Sequence, residues 1–144
     1  MKRLNPRDSL GFHCNLTVKA FMRALEKRLK GTGVSNAQFL ALEQIISAGS
    51  LSMSELVDRL CITPATGVRL VDRMERDGWV TRQPSSKDGR VKRLVVTKSI
   101  TKLWSEVAKS GEEILVQAYR GIRPEEIETV KRVLDAVQNN LAVC

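Results

Sequence analysis

The sequence contains few of the residues on which most enzymes and metal proteins depend. Of its 144 residues, one is histidine and three are cysteine. The cysteines Cys14, Cys61 and Cys144 have no C-x-x-C spacing, which argues against a zinc site. The chain also lacks a P-loop, H-E-x-x-H, G-x-S-x-G and the dinucleotide fingerprint. We therefore expect no catalytic residue, no metal and no cofactor, and we expect that the protein is not an enzyme.

Aromatic residues and long apolar runs are also scarce. Aromatic residues make up 4% of the chain, too few for the stacking platforms that bind RNA or single-stranded nucleic acid. No uncharged stretch approaches the ~20 apolar residues that would span a bilayer. The basic start of the chain is not followed by the apolar region of a signal peptide. These features lead us to expect a cytoplasmic protein that does not associate with a membrane.

Positive charge is what the sequence has in excess. Lysine and arginine total 24 against 16 acidic residues, which gives a net charge of +8. The excess is +5 over residues 1–53 and +4 over residues 54–98, whereas residues 99–144 are net −1. Such an excess suggests a polyanionic partner, and its distribution places that partner on the first two thirds of the chain. The N-terminal share has no evident role.

The apolar periodicity predicts a mainly α-helical (α+β) protein with about six helices and one β-hairpin. We expect helices over 9–30, 35–48, 54–60, 64–77, 99–120 and from 124 onward, with hairpin strands over 79–84 and 90–97. We divide this single structural unit into an N-terminal helix (1–34), a middle lobe that contains the hairpin (35–98) and C-terminal helices (99–144).

Two short helices followed by a hairpin are typical of a winged helix-turn-helix, whose second helix can enter the major groove of DNA. Thr63 is a suitable N-cap for that helix, and Pro64 occupies its first position. We expect Arg69 to read a base edge and Arg73 to contact phosphate, while Val68 faces the core. The residues expected to approach DNA from this helix are Thr63, Pro64, Thr66, Gly67, Arg69 and Arg73.

The hairpin, or wing, strengthens the case for DNA. Between residues 82 and 98 there is one acid, Asp88, and six bases: Arg82, Lys87, Arg90, Lys92, Arg93 and Lys98. A basic hairpin beside a recognition helix suits the minor groove or the phosphate backbone. Basic residues also protect exposed strand edges from aggregation, and the alternation of residues 90–96 fits both interpretations.

At this point the chain resembles the MarR family of winged-helix transcription regulators. The resemblance is strongest in SNAQFLALEQI (35–45), LSMSELVDRLCITPATGVRLVDRMERDGWVTR (51–82) and SKDGRVKRLVVT (86–97). It implies a homodimer, and a wing in which Asp88 holds Arg90 for the minor groove, with Lys87 and Lys92 beside them. The chain departs from the family pattern at Gly67, Gly89 and Ile100.

The last helix has an apolar seam that suits a partner helix. Its residues recur at spacings of 3, 4, 3 and 4, as in a coiled coil. We expect the dimer interface to include this seam and one residue of the first helix: Ile127, Val130, Leu134, Val137, Leu141 and Leu10.

The family resemblance also implies a small lipophilic or phenolic effector bound beside the first helix. His13 is a candidate contact, although a surface histidine is more often structural. Cys14 corresponds in place to the cysteine of family members that sense organic hydroperoxides. Oxidation would need a thiolate that solvent can reach, and a buried inert thiol is the alternative.

Our hypothesis is a sequence-specific double-stranded DNA-binding regulator that acts as a ligand-responsive repressor and binds a pseudo-palindromic operator as a homodimer. One alternative is a winged-helix interaction module that binds an acidic protein, because the fold alone does not fix function. A redox-sensing regulator that uses Cys14 is another.

Overall fold

The computed structural model describes residues 5–85 and 90–141. After a short 3-10 helix at Pro6–Asp8, the elements are α1 (Leu10–Leu29), α2 (Asn36–Ala48), β1 (Leu51–Ser52), α3 (Met53–Leu60), α4 (Pro64–Arg76), β2 (Val80–Pro84), β3 (Lys92–Val96), α5 (Ile100–Ala118) and α6 (Pro124–Leu141). The predicted fold class, mainly helical with a winged helix-turn-helix, is confirmed. Within the described ranges, no helix is long and apolar enough to cross a lipid bilayer.

The wing is part of a three-stranded antiparallel sheet in the order β1-β3-β2. Val80 pairs with Val96 and Pro84 with Lys92 in the predicted hairpin. The third strand was not among the predicted elements; Leu51 pairs with Leu94, so β1 joins the free edge of β3. The sheet thus connects the start of the helix-turn-helix directly to the wing.

Side-chain caps define the starts of the three helices in the winged-helix unit. Ser35 forms a capping box with Gln38 at α2. Ser52 forms a second one with Glu55, so α3 begins at Met53, one residue earlier than predicted. At α4, the Thr63 hydroxyl accepts a hydrogen bond from the backbone N–H of Thr66. These bonds satisfy amide groups that would otherwise lack partners, and they fix where each helix begins.

Two apolar cores hold the elements together. One core lies inside the winged-helix unit: Ala41, Leu42, Ile45, Leu51, Leu56, Leu70, Val71, Met74, Val80, Leu94 and Ile100. The other joins α1, α2 and α5: Leu25, Leu29, Val34, Phe39, Val107 and Ile114. Trp79, Leu103 and Trp104 pack against both cores. Because α2 and α5 each contribute to both cores, the two halves of the molecule are in contact through these two helices.

Arg93 ties the wing to the start of α3. Its guanidinium donates to Glu55 Oε2 at 2.6 Å and to the Ser50 carbonyl at 2.7 Å. The same Glu55 oxygen accepts from the Ser52 N–H at 2.7 Å. The Ser52 backbone N–H and hydroxyl, and then Arg93, hold the pKa of the Glu55 carboxyl below its usual value. One carboxylate therefore serves both the helix cap and the wing strand.

Gly67 permits α3 and α4 to pack closely. A Cβ at this position would lie 2.5 Å from Val57 Cγ2, well inside van der Waals contact. Val57 is buried and β-branched, so its methyl group has little freedom to move away. The glycine therefore sets the distance between the two helices of the helix-turn-helix.

We predict that Gly67→Ala destabilises the fold by about 1–3 kcal/mol, because overpacking outweighs the ~1 kcal/mol gain in helix propensity. Urea unfolding measures the effect. In a Val57→Ala background, where the clashing methyl is gone, the same change should be neutral or stabilising. Gly11→Ala is the control, since its Cβ would meet only Ser9 Oγ at 3.6 Å. Equal losses at both glycines would refute the close-packing argument.

We also predict that Arg93→Gln lowers the free energy of unfolding by about 1–3 kcal/mol, since it removes hydrogen bonds between charged and polar groups. Lys92→Gln is the matched control, because Lys92 is exposed and forms no ion pair with a described residue. The control should stay within about 0.5 kcal/mol of the parent protein. Thermal and urea unfolding both report the difference, and a similar loss in the two variants would contradict this role of Arg93.

Candidate nucleic-acid interface

The outer face of α4 displays most of the residues predicted to approach DNA. Thr63, Pro64, Thr66, Arg69 and Arg73 are all exposed. The prediction had Gly67 outward and Val68 inward, and the structure places them the other way round. Gly67 is buried, in line with Leu70, Val71 and Met74, while Val68 is 43% exposed.

That exchange follows from helix geometry. Positions 67, 70, 71 and 74 recur at the three- and four-residue spacing that lines one side of a helix. The sequence assignment gave more weight to the polarity of each residue than to this spacing. As a result, the outer face presents a valine methyl group, which is suited to contact with a thymine methyl, instead of bare glycine backbone.

Arg69 and Arg73 make no ion pair with any residue in the described part of the chain. Two acidic residues close to them in the sequence, Asp72 and Asp77, have other partners. Asp72 accepts from Arg82 Nη2 at 2.8 Å. Asp77 accepts from Gln38 Nε2 at 3.2 Å and lies 3.7 Å from Arg76 Nε. The two guanidinium groups on the outer face are thus available to an external anion.

Arg82 belongs to the internal structure of the unit instead of to its basic surface. Its guanidinium contacts Asp72 and Glu75, both on α4, and its backbone N–H donates to Glu75 Oε1 at 3.2 Å. With Arg93 bound to Glu55 and Ser50, two of the six basic residues counted in the wing are engaged inside the protein. Sequence reasoning counted all six toward the basic charge of the wing because it could not see these partners.

The remaining wing residues divide between the described and undescribed parts of the chain. Arg90, Lys92 and Lys98 are exposed. The predicted contacts Lys87 and Asp88 lie outside the described residues. The outward positive charge of the described unit therefore includes Arg69 and Arg73 on α4, Lys92 on β3 and Lys98 after it.

An apolar cavity of about 570 Å³ lies between α1, α2 and α5. This is within the size range of sites for small organic ligands. Phe39 stacks on Trp104 in its wall, with the ring centroids 5.5 Å apart and the planes at 30°. Gly111 admits the Phe39 ring, since a Cβ there would lie 2.9 Å from Phe39 Cζ.

His13 and Cys14, the predicted effector or redox residues, do not line this cavity. His13 is exposed, and its Nε2 lies 2.8 Å from the Arg7 carbonyl oxygen. Cys14 is a half-buried free thiol. The part of α1 that borders the cavity lies one to three turns further on and includes Val18, Phe21 and Leu25.

A second, smaller cavity of about 310 Å³ lies beside the outer face of α4. Its lining includes Arg69 and Arg73 of α4 and Leu40 of α2. Leu40 also lines the larger cavity. One side chain of α2 therefore contributes to both cavities.

The residues predicted for the dimer interface lie on an uncovered surface. None of the side chains of α6 is buried. Val130, Val137, Leu141 and Leu10 are exposed, and Ile127 and Leu134 are half-buried. Leu16, Val18, Leu115 and Val116 extend the exposed apolar surface onto α1 and α5.

Comparison with known proteins relates the winged-helix unit to a family. Residues 34–92 match the model of the MarR family. The HTH-type transcriptional repressor IacR of Pseudomonas putida is 24% identical over 121 residues, which span 84% of this chain and 72% of IacR.

Two solved structures share the whole architecture. A mutant MarR from E. coli complexed with operator DNA is 23% identical, with a TM-score of 0.77 over 89% of this chain and 92% of that one. CouR from Rhodococcus jostii RHA1, bound to p-coumaroyl-CoA, is 20% identical, with a TM-score of 0.84 over 94% and 95% of the two chains. The matched family comprises transcription regulators and not enzymes. Residues 34–92 of this chain therefore carry the match to the MarR family, and the described chain shares the winged helix-turn-helix fold of these solved structures.

Proposed function

We propose that the protein is a sequence-specific regulator that binds double-stranded DNA as a homodimer and represses transcription until a small effector binds. The observation that supports this most is the outer face of α4. Arg69 and Arg73 are exposed there without an internal ion pair among the described residues, while Arg82 and Arg93 are engaged inside the fold. This division leaves the charge where a major groove would meet it.

In this proposal α4 enters the major groove at its N-terminal half. Thr63, Pro64 and Thr66 are small enough to allow close approach, and Val68 offers a methyl contact. Arg69 pairs with guanine O6 and N7, and Arg73, one turn further on, binds phosphate. The wing residues Lys87, Asp88, Arg90 and Lys92 lie along the adjacent minor groove, as the family resemblance implies.

We expect Arg69→Ala to cost about 1–3 kcal/mol at one base position and to relax the preference there, because a bidentate base contact is lost. Arg73→Ala should instead weaken binding to all sequences and make the dependence of log K on log salt shallower by about 0.9. Selection of bound sites from a random duplex pool identifies the operator, and titrations of single-base variants at several salt concentrations measure both effects.

Arg120→Ala is the control for these substitutions, because Arg120 is exposed and follows α5, outside the winged-helix unit. It should leave affinity and site preference near the parent values. A uniform loss for Arg69→Ala would remove its base-reading role. Absence of salt-sensitive binding to any duplex at low salt would contradict the proposed function as a whole.

The proposed homodimer rests on the uncovered apolar surface of α1, α5 and α6. A monomeric protein rarely exposes so many neighbouring apolar side chains. In α6 they follow a two-heptad spacing, which suits a second helix with the same spacing. Residues 1–34 and 99–144 would form the interface, and the two lobes (35–98) would meet half-sites ~34–36 Å apart in a pseudo-palindrome.

We predict that Val130→Glu converts the dimer to a monomer, because it places a charge on a 54% exposed seam residue that the partner would bury. Sedimentation equilibrium measures the change, and operator affinity should fall with it. Asn139→Glu is the control, since position 139 lies half a helical turn from the seam. A parent protein that sediments as a monomer would contradict the proposed assembly.

The effector is the third part of the proposal. The cavity between α1, α2 and α5 has a suitable size and an apolar wall, and CouR was crystallised with p-coumaroyl-CoA. The relative IacR is a transcriptional repressor, which favours repression over activation for this protein. A regulator of this kind acts where the DNA is, so a cytoplasmic location follows from the proposal.

A further inference from the structure

We infer that the effector cavity selects a lipophilic aromatic cation, such as a protonated amine on an aromatic scaffold, over a phenolate or a carboxylate. This inference rests on the proposed effector-responsive function and names the chemical class of the ligand. It departs from the phenolic effector that the family resemblance led us to expect. The reason lies in the charges of the cavity wall.

Two carboxylates line an otherwise apolar cavity. Glu43 comes from α2 and Glu112 from α5, so they reach the cavity from two different helices. Among the described residues that line it, none is lysine, arginine or histidine. The negative charge of the cavity lining contrasts with the net charge of the whole chain, which is +8. An anionic ligand would meet two negative groups here and no positive one.

Neither carboxylate is neutralised by an ion pair with a described residue. Glu112 also borders a neighbouring groove lined by Arg28 and Lys109. Arg28 is engaged with Glu113, and Lys109 forms no ion pair with a described residue. Both carboxylates belong to exposed residues, so they would meet a bound cation at the open side of the cavity, where no described basic side chain competes for them in an ion pair.

The rest of the wall suits the aromatic part of such a ligand. Phe21, Phe39 and Trp104 present rings, and Val18, Leu25 and Leu115 present aliphatic groups. Ring faces attract cations, most strongly when water is excluded. A ligand with an aromatic body and a protonated amine would bury its body on this wall and direct its charge toward Glu43 and Glu112.

A ligand in the cavity would alter the position of the DNA-binding face through α2. Leu40 lines this cavity and also the smaller one beside Arg69 and Arg73. Gln38 of α2 donates to Asp77, the residue that ends α4, at 3.2 Å. A ligand that separates α2 from α1 and α5 therefore shifts the wall against which the recognition helix is held, and a change in operator affinity should follow.

The test compares three probes that share one scaffold: 4-phenylbutylamine, 4-phenylbutan-1-ol and 4-phenylbutanoate. Isothermal titration of the full-length protein, with Trp104 fluorescence as a second signal, measures their affinities. We expect the amine to bind at least about tenfold more tightly than the carboxylate, with the alcohol between them. In the double variant Glu43→Gln/Glu112→Gln this preference should fall to about threefold or less. Glu106→Gln, an exposed α5 carboxylate outside the cavity, should preserve it.

Three results would overturn the inference. The carboxylate could bind as well as the amine, the double variant could retain the preference, or none of the probes could bind the dimer. If the Val130→Glu monomer binds the probes and the dimer does not, a second copy of the chain occupies the cavity. Operator binding without ligand is measured in parallel. If the protein binds its operator but shows no charge preference among the probes, the inference fails and the proposed function stands. If the protein binds no operator, the proposed function fails whatever the probes do.

Discussion

The close approach of α3 and α4 at Gly67 is the constraint on which the reading surface depends. A Cβ there would lie 2.5 Å from a methyl group of Val57, so no larger residue fits without movement of the helices. Because Gly67 faces inward, the neighbouring Val68 and Arg69 turn outward. The orientation of the recognition helix, and hence the side chains it presents, follows from this one contact.

Charge in the winged-helix unit is divided between two tasks. Arg82 and Arg93 bind carboxylates of α4 and α3 and hold the sheet to the helices. Both side chains are about 30% exposed, so the pairs are only partly screened by water. Arg69 and Arg73 lack such partners among the described residues and can meet phosphate or bases. A net charge therefore says little about a binding surface until the internal pairs are known.

The helix α2 connects the two functions proposed here. It contributes to both apolar cores. Its residue Leu40 lines both the apolar cavity and the smaller cavity beside Arg69 and Arg73 of α4. Its Phe39 ring is fixed between Trp104 and the bare backbone at Gly111. A densely packed helix of this kind transmits displacement instead of absorbing it. The regulatory part of the proposal depends on that stiffness.

The sequence by itself determined the elements, because their signals are local. The helical and strand periods and the cap at Thr63 act within a few residues, and they predicted the helices, the hairpin and the winged-helix order closely. The apolar seam of α6 could also be predicted from the sequence, since the spacing of its residues lies within one helix.

Only the tertiary structure decided which of the predicted side chains remain available for function. Arg93 meets partners 38 and 43 positions away, and Leu51 of β1 pairs with Leu94 of β3, 43 positions along the chain. The inward position of Gly67 and the cavity between three helices likewise arise from packing between elements. Such contacts depend on how distant segments of the chain are brought together. The local periodicity of apolar residues therefore does not predict them.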